Sequence, residues 1–214
     1  MTAPTDLRHR FGDLDIYLFD QLLRGRIEPG LRIFDAGCGG GRNLVYFLRE
    51  GYDVRGIDPS PEAITTVRAL ASQLMPDRAD DRFTVASLEA HSVPPASADV
   101  VIVSAVLHFA RDDAHFDAMV EGAWRILAPG GLFFSRLASS IGIEGAVRPL
   151  GHGRFRLPDG SDRYLVDEPR LMGLTRQLDA DLLDPLKTTV VQGQRAMTTW
   201  VLRRHGRRPS ITVL

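Results

Sequence analysis

The densest chemical signal lies in Asp35-Ala36-Gly37-Cys38-Gly39-Gly40-Gly41, a D-x-G-x-G-x-G run, followed by a second carboxylate at Asp58. Glycines at a turn let backbone come close to a ligand. A phosphate cradle needs Gly-Lys-Ser/Thr at the helix start, and Gly41-Arg42-Asn43 stands there instead. A dinucleotide fingerprint needs G-x-G-x-x-G/A. Counted from Gly37 its third position falls on Arg42, and counted from Gly39 it falls on Leu44. The remaining ligand reading is an S-adenosylmethionine (SAM) site. SAM has no phosphate, and Asp58, at the end of the next strand, can accept from both ribose hydroxyls at about 1.5–3 kcal/mol per charge-assisted bond. A turn that merely connects two elements is the alternative.

These residues need elements to hold them. LRIFD (31–35), YDVRGID (52–58), RFTVAS (82–87), ADVVIVSAV (98–106) and LFFSRLAS (132–139) read as strands. NLVYFLREG, SPEAITTVRALASQLM and DDAHFDAMVEGAWRILAPGG read as the helices between them, with Ser60 as an N-cap, Pro61 as a first residue and Gly51 and Pro129-Gly130-Gly131 as stops. Alternating strands and helices predict a parallel sheet covered on both faces. Ligands of such sheets sit beyond the C-terminal strand ends, where the glycine run, Asp58, Ser87 and Ser104 all fall. Ile16, Phe19, Leu22 and Leu23 suggest a short N-terminal helix. Residues 140–165, rich in glycine and arginine, read as an irregular insertion. VDEPRLMGLTRQL (166–178) reads as a helix, and LKTTVVQ with MTTWVLRR as a β-hairpin. The tail from Gly206 is expected to fray.

Composition narrows the class. The chain has 214 residues, 44% of them apolar, and a formal charge of −1. That describes one globular domain with no global attraction to nucleic acid or anionic membrane. Cys38 is the sole cysteine, which excludes an internal disulfide and a cysteine-based zinc site; no metal site is expected. No secretory signal or membrane span is visible, so a cytoplasmic monomer or homodimer is expected.

The runs FDAGCGGGRN (34–43), GIDPS (56–60), ASLEAHSVPPASADVVIVSAVLHF (86–109) and RILAPGG (125–131) resemble class I SAM-dependent methyltransferases. The GCGGGRN loop is most similar to the small bacterial group that includes tellurite-resistance and thiopurine-type enzymes. The resemblance implies a Rossmann-like α/β fold: a seven-stranded, mostly parallel sheet in the order 3-2-1-4-5-7-6, its last strand antiparallel. It also implies SAM as cofactor and S-adenosylhomocysteine as product. Asp35, Gly37, Cys38, Gly39 and Gly41 would line the methionine portion, with Ala36 and Asn43 also at the cofactor, Asp58 would hold the ribose, and Ile57 and Pro59 would flank the adenine. Ser87 replaces the usual adenine-binding acid, with Leu88 backbone and Glu89 as substitutes. Ser104 follows strand four, where cofactor and acceptor meet. Residues 1–30 would form a helical lid over a single domain, 1–214, with residues 140–165 near the acceptor.

Transfer of a methyl from a sulfonium is an in-line displacement in which the protein chiefly supplies alignment. His108 is the candidate catalytic base, with cofactor contact or a helix-start role as the alternative; His152 is a second candidate. Arg148, Arg154, Arg156 and Arg163 oppose Glu144, Asp159 and Asp162, the balance of a solvated loop. Arg203, Arg204, Arg207 and Arg208 lack an aromatic stacking surface, so they read as a solubilising tail. A small-molecule acceptor is expected. An RNA or protein acceptor, or a SAM-binding protein without transfer, stays open.

Overall fold

Val100 and Ile102 face one side of the molecule and Val101 and Val103 the other, all four fully buried. That alternation makes the strand they share the centre of the fold, since a strand with two apolar faces must be covered twice. The computed structural model describes residues 4–76 and 80–206. Its main strands are β1 (Arg32–Ala36), β2 (Asp53–Asp58), β3 (Phe83–Val85), β4 (Ala98–Ser104) and β5 (Leu127–Ser139). Three short strands follow, β6 (Arg148–Gly151), β7 (Arg154–Arg156) and β8 (Asp162–Tyr164), and then β9 (Ala180–Leu182), β10 (Lys187–Val191) and β11 (Arg195–Arg204). The helices are α1 (Pro4–Phe11), α2 (Ile16–Leu23), α3 (Val45–Arg49), α4 (Pro61–Leu74), α5 (Asp113–Ile126) and α6 (Glu168–Gln177).

The main sheet runs β3-β2-β1-β4-β5-β11-β10, with β11 antiparallel to both of its neighbours. This is the expected 3-2-1-4-5-7-6 order, β10 and β11 taking the sixth and seventh places. β9 pairs with β11 on the same side as β10. Asp184-Pro185 falls between β9 and β10, and a proline has no amide hydrogen to continue the ladder. On one face, Phe116, Val120 and Trp124 of α5 and Leu171 of α6 pack on Val101, Phe133 and Trp200. On the other, Leu18 of α2, Phe47 of α3 and Val67 of α4 pack on Ile33, Ile102 and Phe134. The buried Trp200 indole N–H donates to Thr175 Oγ1 at 3.0 Å.

Local chemistry sets the boundaries. The Ser60 hydroxyl accepts the Ala63 amide at 3.2 Å, and Asp112 and Asp167 accept those of His115 and Arg170 at 2.8 Å each. α5 ends at Ile126, before the expected Pro129-Gly130-Gly131 stop, because Leu127 already pairs with Ala98; a register shift then separates that pair from Val100 and Leu132. The N-terminal helix forms, but not on the expected face. Leu18 and Gln21 are buried, whereas Ile16 and Leu23 are 70% and 71% exposed. α1 precedes it, its Phe11 ring stacked on Tyr46. Residues 140–165 are not irregular: β6, β7 and β8 form a small antiparallel sheet. Tyr164 anchors this sheet, stacking on Phe116 and donating to Asp113 at 2.6 Å. Arg207, Arg208 and the expected frayed tail lie outside the described residues.

Candidate cofactor and acceptor site

The β1–α3 loop is fixed from both ends. The Gly37 and Cys38 amides both donate to the Ile57 carbonyl, at 2.8 and 3.0 Å. Gly37, Gly39 and Gly41 have φ of +89°, +52° and +86°, a region costly for any residue with a Cβ. Each glycine then has its own reason. A Cβ at Gly37 would lie 2.4 Å from a Val106 methyl, and one at Gly41 would lie 2.7 Å from Leu70 and 2.9 Å from Val67. Gly39 faces open space. Asp58 closes the arrangement: its Oδ2 accepts the Gly39 amide and its Oδ1 the Ser60 amide, both at 2.9 Å.

A cavity of about 450 Å³ opens beside this loop. Of the residues expected to bind cofactor, Gly37, Ile57, Asp58, Pro59, Ser87, Leu88 and Glu89 line it. Ala86, Ala105, Val106, Phe109, Arg111, His115 and Met119 complete the wall, and no local motif marks them. Glu89 is not free: its carboxylate lies 3.2 Å from His115 Nε2, while His115 Nδ1 accepts the Arg111 amide at 3.1 Å. Burial raises the Glu89 carboxyl, but backbone hydrogen bonding and His115 outweigh it and leave it below its ordinary value.

Asp35, Ala36, Cys38, Gly39, Gly41, Asn43 and Ser104, also expected at the cofactor, are not among the residues that line it. Both Asp35 carboxylate oxygens are buried without a hydrogen-bond partner. Burial raises this carboxyl to about 7, with Arg42 opposing and Asp58 adding to the rise. Cys38 is buried against Gly56, and burial pushes its thiol well up. Asn43 Oδ1 accepts the Asp15 amide at 3.1 Å. Ser104 accepts from Arg42 at 3.5 Å.

A second cavity, of about 290 Å³, shares Ala105 with the first. Ala105 has φ of +63° and donates its amide to the Arg136 carbonyl at 2.7 Å. The second wall includes His108, Arg136, Ala138, Leu157, Asp159, Ser161, Arg163, Arg195 and Met197. Phe109 lines the first cavity, and Arg163 lies 5.1 Å above its ring. His108 Nδ1 accepts the Ala138 amide at 3.3 Å, which puts the ring proton on Nε2. Burial, with Arg163 nearby, lowers His108 to about 4. The imidazole is therefore neutral near pH 7 and offers a donor rather than a free lone pair.

α2 reaches this mouth through its first turn. Asp15 pairs with Arg136 at 3.1 Å, and the Arg136 guanidinium lies 5.4 Å from the Tyr17 ring. The helix is otherwise held on the sheet face, with Gln21 donating to Asp184 at 3.0 Å. His152 is an exposed turn residue with φ of +54° and lines neither cavity. Among the described residues no group of three or more His, Cys, Asp or Glu side chains could hold a metal, and no helix is long and apolar enough to cross a membrane.

Open space at Gly39, the Asp58 carboxylate in the cavity wall and the partnerless oxygens of Asp35 suit a ribose-bearing cation such as SAM. Known proteins agree. A methyltransferase-domain family model matches residues 34–135. A ubiquinone biosynthesis O-methyltransferase of Methylocella silvestris is 37% identical over 142 residues, 61% of this chain and 52% of that protein. The chain spans about half the length of the first curated relatives it matches. A ubiquinone biosynthesis O-methyltransferase of Pectobacterium atrosepticum is 31% identical over 178 residues, 75% of this chain and 70% of that protein. A SAM-dependent methyltransferase of Methanosarcina mazei shares the fold with a TM-score of 0.68 at 19% identity, over 87% of this chain and 98% of that one. Sequence match and sheet order together place the chain in the class I SAM-dependent methyltransferase family.

Proposed function

We propose that this protein moves the methyl group of SAM onto a small-molecule acceptor, leaving S-adenosylhomocysteine. One observation carries the reading: a cavity large enough for a nucleoside cofactor and a smaller one beside it share Ala105. SAM supplies an electrophilic methyl with a neutral leaving group, so the protein's part is positioning, a contribution of about 7–11 kcal/mol when the reactants are well aligned. Asp58 holds the ribose side, and Gly37 lets the cofactor approach the backbone. The strained Ala105 turn sets the boundary between cofactor and acceptor. His108 acts as a hydrogen-bond donor toward the acceptor rather than as a base.

The N-terminal helical segment backs one side of the acceptor mouth where Asp15 and Tyr17 meet Arg136, and Leu157 to Arg163 of the β6–β8 region wall the other. The GCGGGRN loop supports a place near the tellurite-resistance and thiopurine-type enzymes, while the matched relatives are named O-methyltransferases. Both groups favour a small acceptor. The test is mass spectrometry of a small-metabolite panel incubated with methyl-labelled SAM. The reading expects a labelled small molecule that depends on Asp58. Label appearing only in RNA or protein would overturn it.

A further inference from the structure

We infer that the acceptor is a small carboxylate monoanion on an apolar scaffold, held by Arg195 and Arg163; this rests on the methyl-transfer reading above. The Ala105-sharing cavity carries three guanidiniums, from Arg136, Arg163 and Arg195. Arg136 is already neutralised by Asp15, buried behind it. Asp159 is the sole carboxylate in the wall, and its Oδ1 is tied by the Ser161 amide and hydroxyl at 2.9 and 2.6 Å. It sits in the field of both Arg163 and Arg195. Two guanidiniums therefore face one carboxylate, an excess of one positive charge. The Arg195 guanidinium has no hydrogen-bonded or ion-paired partner among the described residues.

His108 cannot absorb an acceptor proton or supply negative charge, because the Ala138 amide occupies its Nδ1. Its remaining ring nitrogen is a donor, which reinforces a wall built to meet an anion. Leu157, Ala138 and Met197 give the same cavity an apolar side. A planar guanidinium fork matches a carboxylate in two parallel hydrogen bonds. One uncompensated positive charge beside an apolar wall selects a monoanion; a neutral acceptor leaves it unpaired, and a dianion overshoots it. The sequence read arginines 148–163 as a solvated loop. Only the return of β11 along β5 brings Arg195 over to Arg163.

The test uses the full chain saturated with S-adenosylhomocysteine and matched acid–amide pairs: benzoate and benzamide, salicylate and salicylamide, anthranilate and anthranilamide. Titration calorimetry should find at least one acid bound about tenfold or more tighter than its amide. Arg195→Ala, on an exposed hairpin, should reduce that preference to about threefold or less, and Arg195→Glu should reverse it. Circular dichroism and S-adenosylhomocysteine affinity verify that both variants are folded. The inference is overturned if no acid binds better than its amide, or if the preference survives in both variants. Failure of the unaltered protein to bind S-adenosylhomocysteine would remove the methyl-transfer reading itself, and this assignment with it.

Discussion

The Asp58 carboxylate, in the wall of the cofactor cavity, accepts the Gly39 amide at 2.9 Å. It therefore shapes the glycine loop as well as facing the ligand. Each carboxylate oxygen has more than one lone pair, so the bonds to Gly39 and Ser60 leave capacity for ribose hydroxyls.

Asp58→Ala is expected to weaken S-adenosylhomocysteine binding by about 2–4 kcal/mol, since two charge-assisted bonds to ligand disappear and the loop loses its anchor. Asp58→Asn keeps the shape but turns an NH2 toward one of the two amides, so it too should bind more weakly than wild type. Titration calorimetry reads both. Unchanged affinity in the alanine variant would remove the ribose assignment.

Two glycines of one loop should fail differently. Gly39→Val places a branched side chain in open space at positive φ, so ligand binding is expected to vanish while circular dichroism stays native. Gly41→Ala drives a methyl against Leu70 and Val67 and should lower the melting temperature, at a cost of about 1–3 kcal/mol. Thermal melts and titrations on the pair separate ligand space from helix packing. The same phenotype for both would mean that Gly39 is also a packing residue.

Asp35 predicts a pH dependence. Its folded-state value of about 7 lies above its ordinary 3.8, so the folded protein holds this proton more tightly than the unfolded chain. The resulting stability is complete below about pH 4 and is lost as pH rises through about 7. Asp35→Asn, neutral and close in shape, should flatten that part of the profile and raise the melting temperature of the ligand-free protein near pH 8. A variant less stable than wild type at that pH would show that the ionised carboxylate is itself stabilising.

His108 predicts the opposite slope. Its folded value of about 4 lies below the ordinary 6.5, so its contribution to stability is present above about 6.5 and is lost as pH falls toward 4. Turnover, once an acceptor is known, should show no inflection from His108 between about pH 6 and 8. A rising limb near 6.5 that disappears in His108→Gln would reinstate the imidazole as a general base.

What was legible in the sequence was local. The glycine run and Asp58 lie at the C-terminal ends of adjacent strands, and β1 and β2 pair in register there, Ala36 opposite Ile57, so a sequence motif maps directly onto a corner of the site. The order of the sheet followed from the family resemblance. The far wall was hidden because it is built at a distance. His115 and Met119 enter from one face of α5, and their spacing alone reads as helix core. Arg195 arrives through an antiparallel return, and Asp159 and Arg163, which share its cavity wall, lie more than thirty residues earlier. The β6–β8 sheet leaves no trace in the sequence, because strands of three or four residues with glycine turns give no periodicity. The hydrogen bonds of His108 and Asn43 fall to backbone amides from other elements, which no side-chain motif records.

The most direct measurement is the thermal stability of the full chain with S-adenosylhomocysteine against NADH. At a ligand concentration about 100 times Kd, binding contributes about 2.7 kcal/mol, and at this length each kcal/mol moves the melting temperature by about 2–4 °C. Such a rise is expected with S-adenosylhomocysteine, together with its loss in Asp58→Ala and no shift with NADH. Stabilisation by NADH alone would contradict the cofactor assignment.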